Sequence, residues 1–353
     1  MTGFLNLAVG WPILQAPMAG VSTPAMAAAV SEAGCLGALG LGASGAQAAR
    51  GAIERTRALT ARPFAVNLFC HAPAARDPAV ESAWLARLAP LFHAFSAQPP
   101  QGLSEIYKSF LEDDAMLEAL IEEKPALVSF HFGLPQAEKI AALKAAGIAL
   151  AASATSLEEA RRIEAAGLDA VIAQGIEAGG HRGTFAADAP DAGLGVLPLT
   201  RILVKNLSIP VVAAGGIMDG AGITAALKLG AAGAQLGTAF VACPESSADA
   251  AYRAALLSGP GATRMTRAIS GRAARCLENR FTRWGEAAGA EDVPAYPLAY
   301  DAGKALNATA KAAGETGFGA QWAGQGAPLA RALPAGELAG LLIEETKAAL
   351  NAL

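Results

Sequence analysis

Short, mostly apolar runs alternate along this chain with longer stretches whose apolar residues recur at helical spacing. Eight runs stand out, at 12–17, 35–41, 64–69, 127–132, 148–152, 170–173, 210–214 and 234–241. They are too short for helices and lack the in–out alternation of a half-exposed sheet. Consecutive apolar residues fit strands covered on both faces, as in a parallel sheet. Helical signals lie between them. The segment 24–32 opens behind Ser22-Thr23, 156–166 carries Glu158 and Glu159 in its first turn, and 221–229 stops at Gly230. Strand–helix units repeated in this way predict an α/β chain folded as a (β/α)8 TIM barrel. A doubly wound sheet is the alternative, but it lacks an early G-x-G-x-x-G at a strand–helix turn.

The rhythm breaks twice. An insertion at about 71–126 holds Gln98-Pro99-Pro100 and a helix-like stretch at 112–123, and the chain runs on through 270–353 after the last strand. The barrel is therefore expected over 1–269, with 270–353 as a helical extension. Both excursions leave from the C-terminal ends of strands, the face on which such barrels carry their active sites. We read them as a lid over that face.

Composition narrows the class. With 353 residues, 53% hydrophobic, 6% aromatic and rich in alanine with 39 glycines, the chain suits Ala-rich helices on aliphatic strands rather than disorder. A net charge of −4 without a basic cluster argues against a nucleic-acid partner. Cys35, Cys70, Cys243 and Cys276 form no C-x-x-C pair, and His71, His93, His131 and His181 are scattered, so no metal site is expected. Neither a basic signal-peptide start nor a long unbroken apolar stretch is present, so no membrane partner and a cytoplasmic location are expected.

The chemistry concentrates at strand ends. After the sixth run comes Gln174-Gly175-Ile176-Glu177-Ala178-Gly179-Gly180-His181-Arg182-Gly183. An amide, adjacent glycines Gly179 and Gly180, and then His181 suit a flat polar cofactor, because glycine allows close backbone approach. Met18, in Gln15-Ala16-Pro17-Met18-Ala19-Gly20, is either a ring-edge contact or core filler. Asn67 interrupts an apolar strand and must find partners, on a heterocycle edge or on a neighbouring loop. The seventh and eighth runs end in Gly215-Gly216 and in Gln235-Leu236-Gly237-Thr238. In barrels the loops after these two strands often bind phosphate through backbone N–H groups. Tyrosine is scarce: Tyr107, Tyr252, Tyr296 and Tyr300 are all there are. If 296–304 is helical, Tyr296, Tyr300 and Lys304 share one face and make a receptor for a small anion. The competing reading is an amphipathic helix packed on the barrel rim.

Taken together, the 15–20 string, Val128-Ser129-Phe130-His131-Phe132-Gly133-Leu134-Pro135, the 174–183 stretch and Ala213-Ala214-Gly215-Gly216-Ile217 resemble the FMN-dependent nitronate monooxygenases, formerly 2-nitropropane dioxygenases, of the bacterial class I type. The resemblance covers about 11–305. It implies an FMN-bearing TIM barrel that oxidises alkyl nitronates with O2 to nitrite and a carbonyl product. Matched motif by motif, it places FMN contacts at Asn67, Gln174, Gly179, Gly216 and Gln235 through Thr238, and the catalytic histidine at His181. Tyr107, Tyr296, Tyr300 and Lys304 match a substrate pocket, with Tyr252 a looser match. Propionate 3-nitronate is the expected substrate, and a monomer or homodimer the expected assembly. Cys35 stands where the family usually has glycine. FMN-dependent NAD(P)H:quinone or enoyl-acyl-carrier reductases on the same barrel are the alternative, as is a flavin-binding module without turnover. The Tyr/Tyr/Lys face favours the small anion.

Overall fold

The computed structural model describes residues 7–258, 261–288 and 292–352. Its strands in chain order are β1 (Ile13–Gln15), β2 (Gly37–Gly40), β3 (Phe64–Phe69), β4 (Leu127–His131), β5 (Ala149–Ala154), β6 (Ala170–Gln174), β7 (Gly180–His181), β8 (Val211–Ala214), β9 (Gly233–Leu236), β10 (Thr263–Thr266) and β11 (Ala274–Leu277). Eight of them pair in parallel in the order β1-β9-β8-β6-β5-β4-β3-β2. A bridge between Leu14 and Leu36 joins the two ends, with Gln15 N donating to Leu36 O and Leu36 N to Ile13 O, each at 2.9 Å. The fold is the expected TIM barrel. A second, antiparallel sheet links β10, β11 and β7.

The period-two geometry of a strand explains the unbroken apolar runs. Ala65, Ala151, Ala170, Ile172 and Val212 pack into the lumen with Leu14, Leu36 and Leu127. Their neighbours Val66, Leu150, Val171 and Val211 face the helices. Small lumen residues such as Ala65, Ala151 and Ala170 let the eight strands close tightly. Local signals set the first ring helix as well. Thr23 caps Pro24–Glu32, its Oγ1 accepting from Met26 N at 3.1 Å, and proline occupies the first turn.

The structure redraws three expected boundaries. The run 234–241 is not one strand: β9 stops at Leu236 and Thr238–Val241 is a helical turn. The helix near 112–123 forms as Asp114–Glu123 and packs between Ala46–Leu59 and Ala137–Ala145, so it belongs to the barrel's ring rather than to the insertion. Its buried Met116 and Leu120 join the core outside the strands. The last helix, Ala335–Asn351, does not lie over the active-site face. It packs against Gly220–Lys228 and Pro24–Glu32 and completes the ring. Its stripe of Ala335, Leu338, Ala339, Leu342 and Ile343 covers what would otherwise be bare apolar surface between those helices. The described residues free to cover the mouth are thus those of 70–113, 242–258, 261–288 and 292–334. They join where helix Pro78–His93 meets helix Leu298–Ala312, through Trp84, Leu88 and Phe92 against Leu298, Ala302 and Leu306. Among the described residues no helix is long and apolar enough to cross a membrane.

Closure by the last helix is close-packed at Gly220. A Cβ there would sit 2.3 Å from the backbone of Glu345 and Thr346. Gly220→Ala is therefore expected to destabilise the fold by about 1–3 kcal/mol, a typical overpacking cost. An unchanged denaturation midpoint would show that this helix does not hold the ring shut.

Candidate active site

At the C-terminal mouth, the lumen's inward positions change from apolar to polar. One layer above Ala65, Leu127, Ala151 and Ile172 stand Asn67, Ser129, Ser153 and Gln174, and His131 lies above Ser129. These side chains form the floor of a cavity of about 520 Å3. The first, seventh and eighth barrel strands contribute its sides, through Met18, Gly215, Gly216, Gln235, Gly237 and Thr238. Tyr107, Tyr252, Tyr296, Tyr300, Lys304 and Trp322 come from the covering segments. Every residue expected at the site lines this cavity except Leu236, which is 1% exposed and packs in the core behind the strand.

The loop after β6 is held by a buried guanidinium. Arg182 Nη1 donates to Gln174 O at 2.9 Å and to Gly175 O at 3.0 Å, while Nε pairs with Asp191 at 2.7 Å. The Gln174 amide closes the same turn. Its Nε2 donates to His181 O at 2.9 Å and its Oε1 accepts from Gly183 N at 2.7 Å. Gln174 thus shapes the loop while lining the cavity. Gly179 is required by packing: a Cβ would meet Gly324 N at 2.5 Å. Gly180 has φ +76°, a conformation that favours glycine, just before the histidine. His181 is fixed by the antiparallel partner of β7, Ala274 opposite it on β11.

Rings pack closely around His181. Trp322 lies 5.0 Å from its centroid, Tyr296 5.3 Å and Phe132 5.7 Å. Burial, with His131 and the Arg272 cation nearby, pushes its pKa down to about 3. His131 is likewise lowered to about 4, chiefly by burial, and His71 to about 4 for the same reason. His131 was not singled out in the sequence. It bridges Ser153 Oγ at 2.9 Å and His181 O at 3.2 Å. Strand parity was the signal that could have found it, because His131 shares the inward register of Ser129. Arg272 was also missed. Its guanidinium is buried 4.2 Å over the Phe132 ring, it bonds Thr184, and burial lowers its pKa to about 10.

The tyrosine–lysine group converges by a different route from the one expected. The helix is Leu298–Ala312, so Tyr296 precedes it, joined to Pro297 by a cis peptide bond, and no single helical face carries all three residues. The rings still meet: Tyr107 lies 6.3 Å from Tyr296 and 5.8 Å from Tyr300. Lys304 Nζ sits 4.9 Å over Tyr107 and 5.4 Å over Tyr300, close enough for cation–π attraction. Tyr252 is tethered through its hydroxyl to Trp322 O. The Tyr296 hydroxyl is buried and has no partner among the described residues.

The fold leaves polar groups open towards the cavity that could hold a cofactor. Asn67 Nδ2 donates to Ser129 O and Oγ, at 3.1 and 2.9 Å, which leaves Oδ1 as an acceptor towards the cavity. The partner of Asn67 is thus the neighbouring strand β4, not a loop. Gly215 and Gly216, at φ +120° and +69°, turn the backbone at the end of β8. Thr238 Oγ1 accepts from Gly324 N at 2.9 Å, so its own proton remains available to donate. Met18 lines the cavity and also packs against the core.

An eight-stranded barrel whose catalytic-face cavity holds histidine, tyrosines and turned glycine loops defines an α/β-barrel enzyme. Comparison with known proteins gives the family. A family model described as nitronate monooxygenase matches residues 3–345. A nitronate monooxygenase of Paraburkholderia phytofirmans is 61% identical, covering 98% of this chain and 95% of its own. One from Pseudomonas aeruginosa is 57% identical, covering 97% of each. The solved nitroalkane oxidase of Streptomyces ansochromogenes superposes with a TM-score of 0.89 at 44% identity, over 98% of each chain. The chain belongs to the nitronate monooxygenase family, a family of oxidoreductases.

The three depressed histidines make stability depend on pH. Folded, they stay neutral down to about pH 4, 4 and 3; unfolded, each titrates near the ordinary pKa of about 6.5. Below about pH 6.5 the unfolded chain therefore takes up protons first, and stability falls with pH until the folded values are reached. Each ring adds at most about 1.4 kcal/mol per pH unit to that slope. Denaturant titrations between pH 7 and 5 should show the slope, reduced in His131→Gln; equal slopes in both proteins would contradict a neutral, buried His131.

Proposed function

We propose that the chain is an FMN-dependent nitronate monooxygenase that oxidises alkyl nitronates with O2 to a carbonyl product and nitrite, with propionate 3-nitronate as a favoured substrate. The observation that carries the reading is the Tyr296 hydroxyl, a buried donor without a partner among the described residues, set beside His181 in the cavity that Lys304 also lines. A buried donor is normally satisfied, so this one calls for an acceptor supplied by a ligand. A nitro or nitronate oxygen answers that description. FMN, when bound, supplies the electron acceptor for the nitronate and the donor for O2. Asn67, Gly216, Gly237 and Thr238 would hold it, with ring-edge and phosphate groups meeting the open acceptor and donors described above.

The protein's part is binding, orientation and proton handling. Tyr296 donates to the substrate's nitro group, and Trp322 and Tyr300 exclude water around it. Neutral at working pH, His181 can accept the proton that a neutral nitroalkane must lose from carbon; a nitronate has already lost it. Purified protein is expected to be yellow and to release FMN, not FAD, on heating. Recovery of FAD would overturn the cofactor assignment. His181→Asn should lower activity on nitroethane far more than on ethyl nitronate. Equal losses on the two would make the histidine a positioning group only.

Lys304 meets a second negative charge. Its ammonium is more exposed than the tyrosines, so the charge-assisted bond falls near the lower end of about 1.5–3 kcal/mol. Lys304→Met is expected to raise KM for propionate 3-nitronate roughly tenfold and to leave KM for propyl nitronate nearly unchanged. A common shift for both substrates would place Lys304 on the rim, outside the pocket's chemistry. Running the same protein with NADH and a quinone tests the reductase alternative.

A further inference from the structure

We infer that Ser270 is a positioning residue that fixes the tautomer of His181, placing the ring proton on Nε2 and the basic lone pair on Nδ1. This rests on the reading of His181 as the proton acceptor for neutral nitroalkanes. Ser270 is fully buried in the turn between β10 and β11. Its Oγ lies 2.8 Å from His181 Nε2 and 3.2 Å from the carbonyl oxygen of Arg272.

A serine hydroxyl has one proton to give. The buried Arg272 carbonyl can only accept, and leaving it without a donor is costly. The ring nitrogen can take either role. The proton of Ser270 therefore goes to the carbonyl, and Nε2 must carry the hydrogen that it donates to Ser270 Oγ. Nδ1 is left unprotonated, with no partner among the described residues, on a ring that lines the cavity. When a nitroalkane C–H bond breaks, its electron pair stays on the nitronate and the proton moves to Nδ1. The resulting imidazolium keeps its Nε2–H on Ser270, so the donor chain from ring to hydroxyl to carbonyl needs no rearrangement. The proton leaves afterwards to solvent. No other buried hydroxyl meets both ends of this chain among the described residues.

Charged and titratable neighbours reach the ring from every side. His131 comes from β4, His71 from the loop after β3, Arg272 from beside Ser270, and Tyr296 and Tyr300 from the covering segment. Burial, His131, Arg272 and His71 all disfavour the imidazolium, which keeps the ring neutral before the reaction. An anionic product beside Nδ1 would offset that effect during turnover.

The test uses the holoenzyme labelled with [15N]histidine. With only four histidines in the chain, His181 is assigned by the signals lost in His181→Asn. At pH 7, long-range 1H–15N correlations should show wild-type His181 as the Nε2–H tautomer alone. In Ser270→Ala the two tautomers should mix. The ratio of kcat on neutral nitroethane to kcat on ethyl nitronate should fall about tenfold, a partial loss of the roughly 10²–10⁴-fold that a positioned general base contributes. Ser270→Thr, which keeps the hydroxyl, should restore the single tautomer. A wild-type Nδ1–H tautomer, or an unmixed Nε2–H tautomer in Ser270→Ala, overturns the inference. Failure of the base reading is separable: His181→Asn would then spare the nitroethane-to-nitronate ratio, whereas the tautomer spectra still decide whether Ser270 sets the ring.

Discussion

The site depends on a buried cation bonded to backbone. Arg182 is 2% exposed, and its guanidinium gathers the carbonyls of Gln174 and Gly175 while Asp191 balances its charge. A charge in that position is stable only when each N–H finds an acceptor, so the loop must curl around it. The curl delivers His181 into a short strand against β11, and Arg182 N donates to Ala273 O at 2.8 Å in the same register. Barrel and cover are thereby joined at His181.

From that junction a sheath of rings spreads outward. Phe132 holds φ +74°, a conformation uncommon for a bulky side chain, and lies 4.5 Å from His131, 5.1 Å from Phe69 and 5.4 Å from Tyr296. Arg272 caps its face. The sheath lowers the basicity of His71, His131 and His181 together, because a buried imidazolium loses hydration and meets another cation. His181, kept neutral, stands beside the Tyr296 phenol, whose hydroxyl has no partner among the described residues. Fold and chemistry are linked here through desolvation.

Much of this was legible in the residues. The eight apolar runs, the cap at Thr23, and glycine at the ends of the seventh and eighth barrel strands follow from backbone sterics and hydrogen-bond satisfaction, which act over a few residues. Scarce tyrosines at 107, 296 and 300 marked a pocket that they do line. Leu236 was misplaced because a strand's parity turns it outward, whereas Gln235 next to it faces the cavity. Parity would also have revealed His131, Ser129 and Ser153.

Local pattern therefore determined the strands, most helices, the barrel and the strand-end residues. Tertiary structure alone decided which distant segments complete them. Whether the last helix covers the mouth or closes the ring depends on the apolar gap between the first and seventh ring helices, which exists only once the barrel has formed. Pairing of His181 with Ser270 spans 89 positions, and the contact of Tyr107 with Tyr300 joins two separate excursions. Hydrogen bonds and ring contacts of that range carry no trace in local spacing, since they depend on where the backbone returns and not on which residues adjoin.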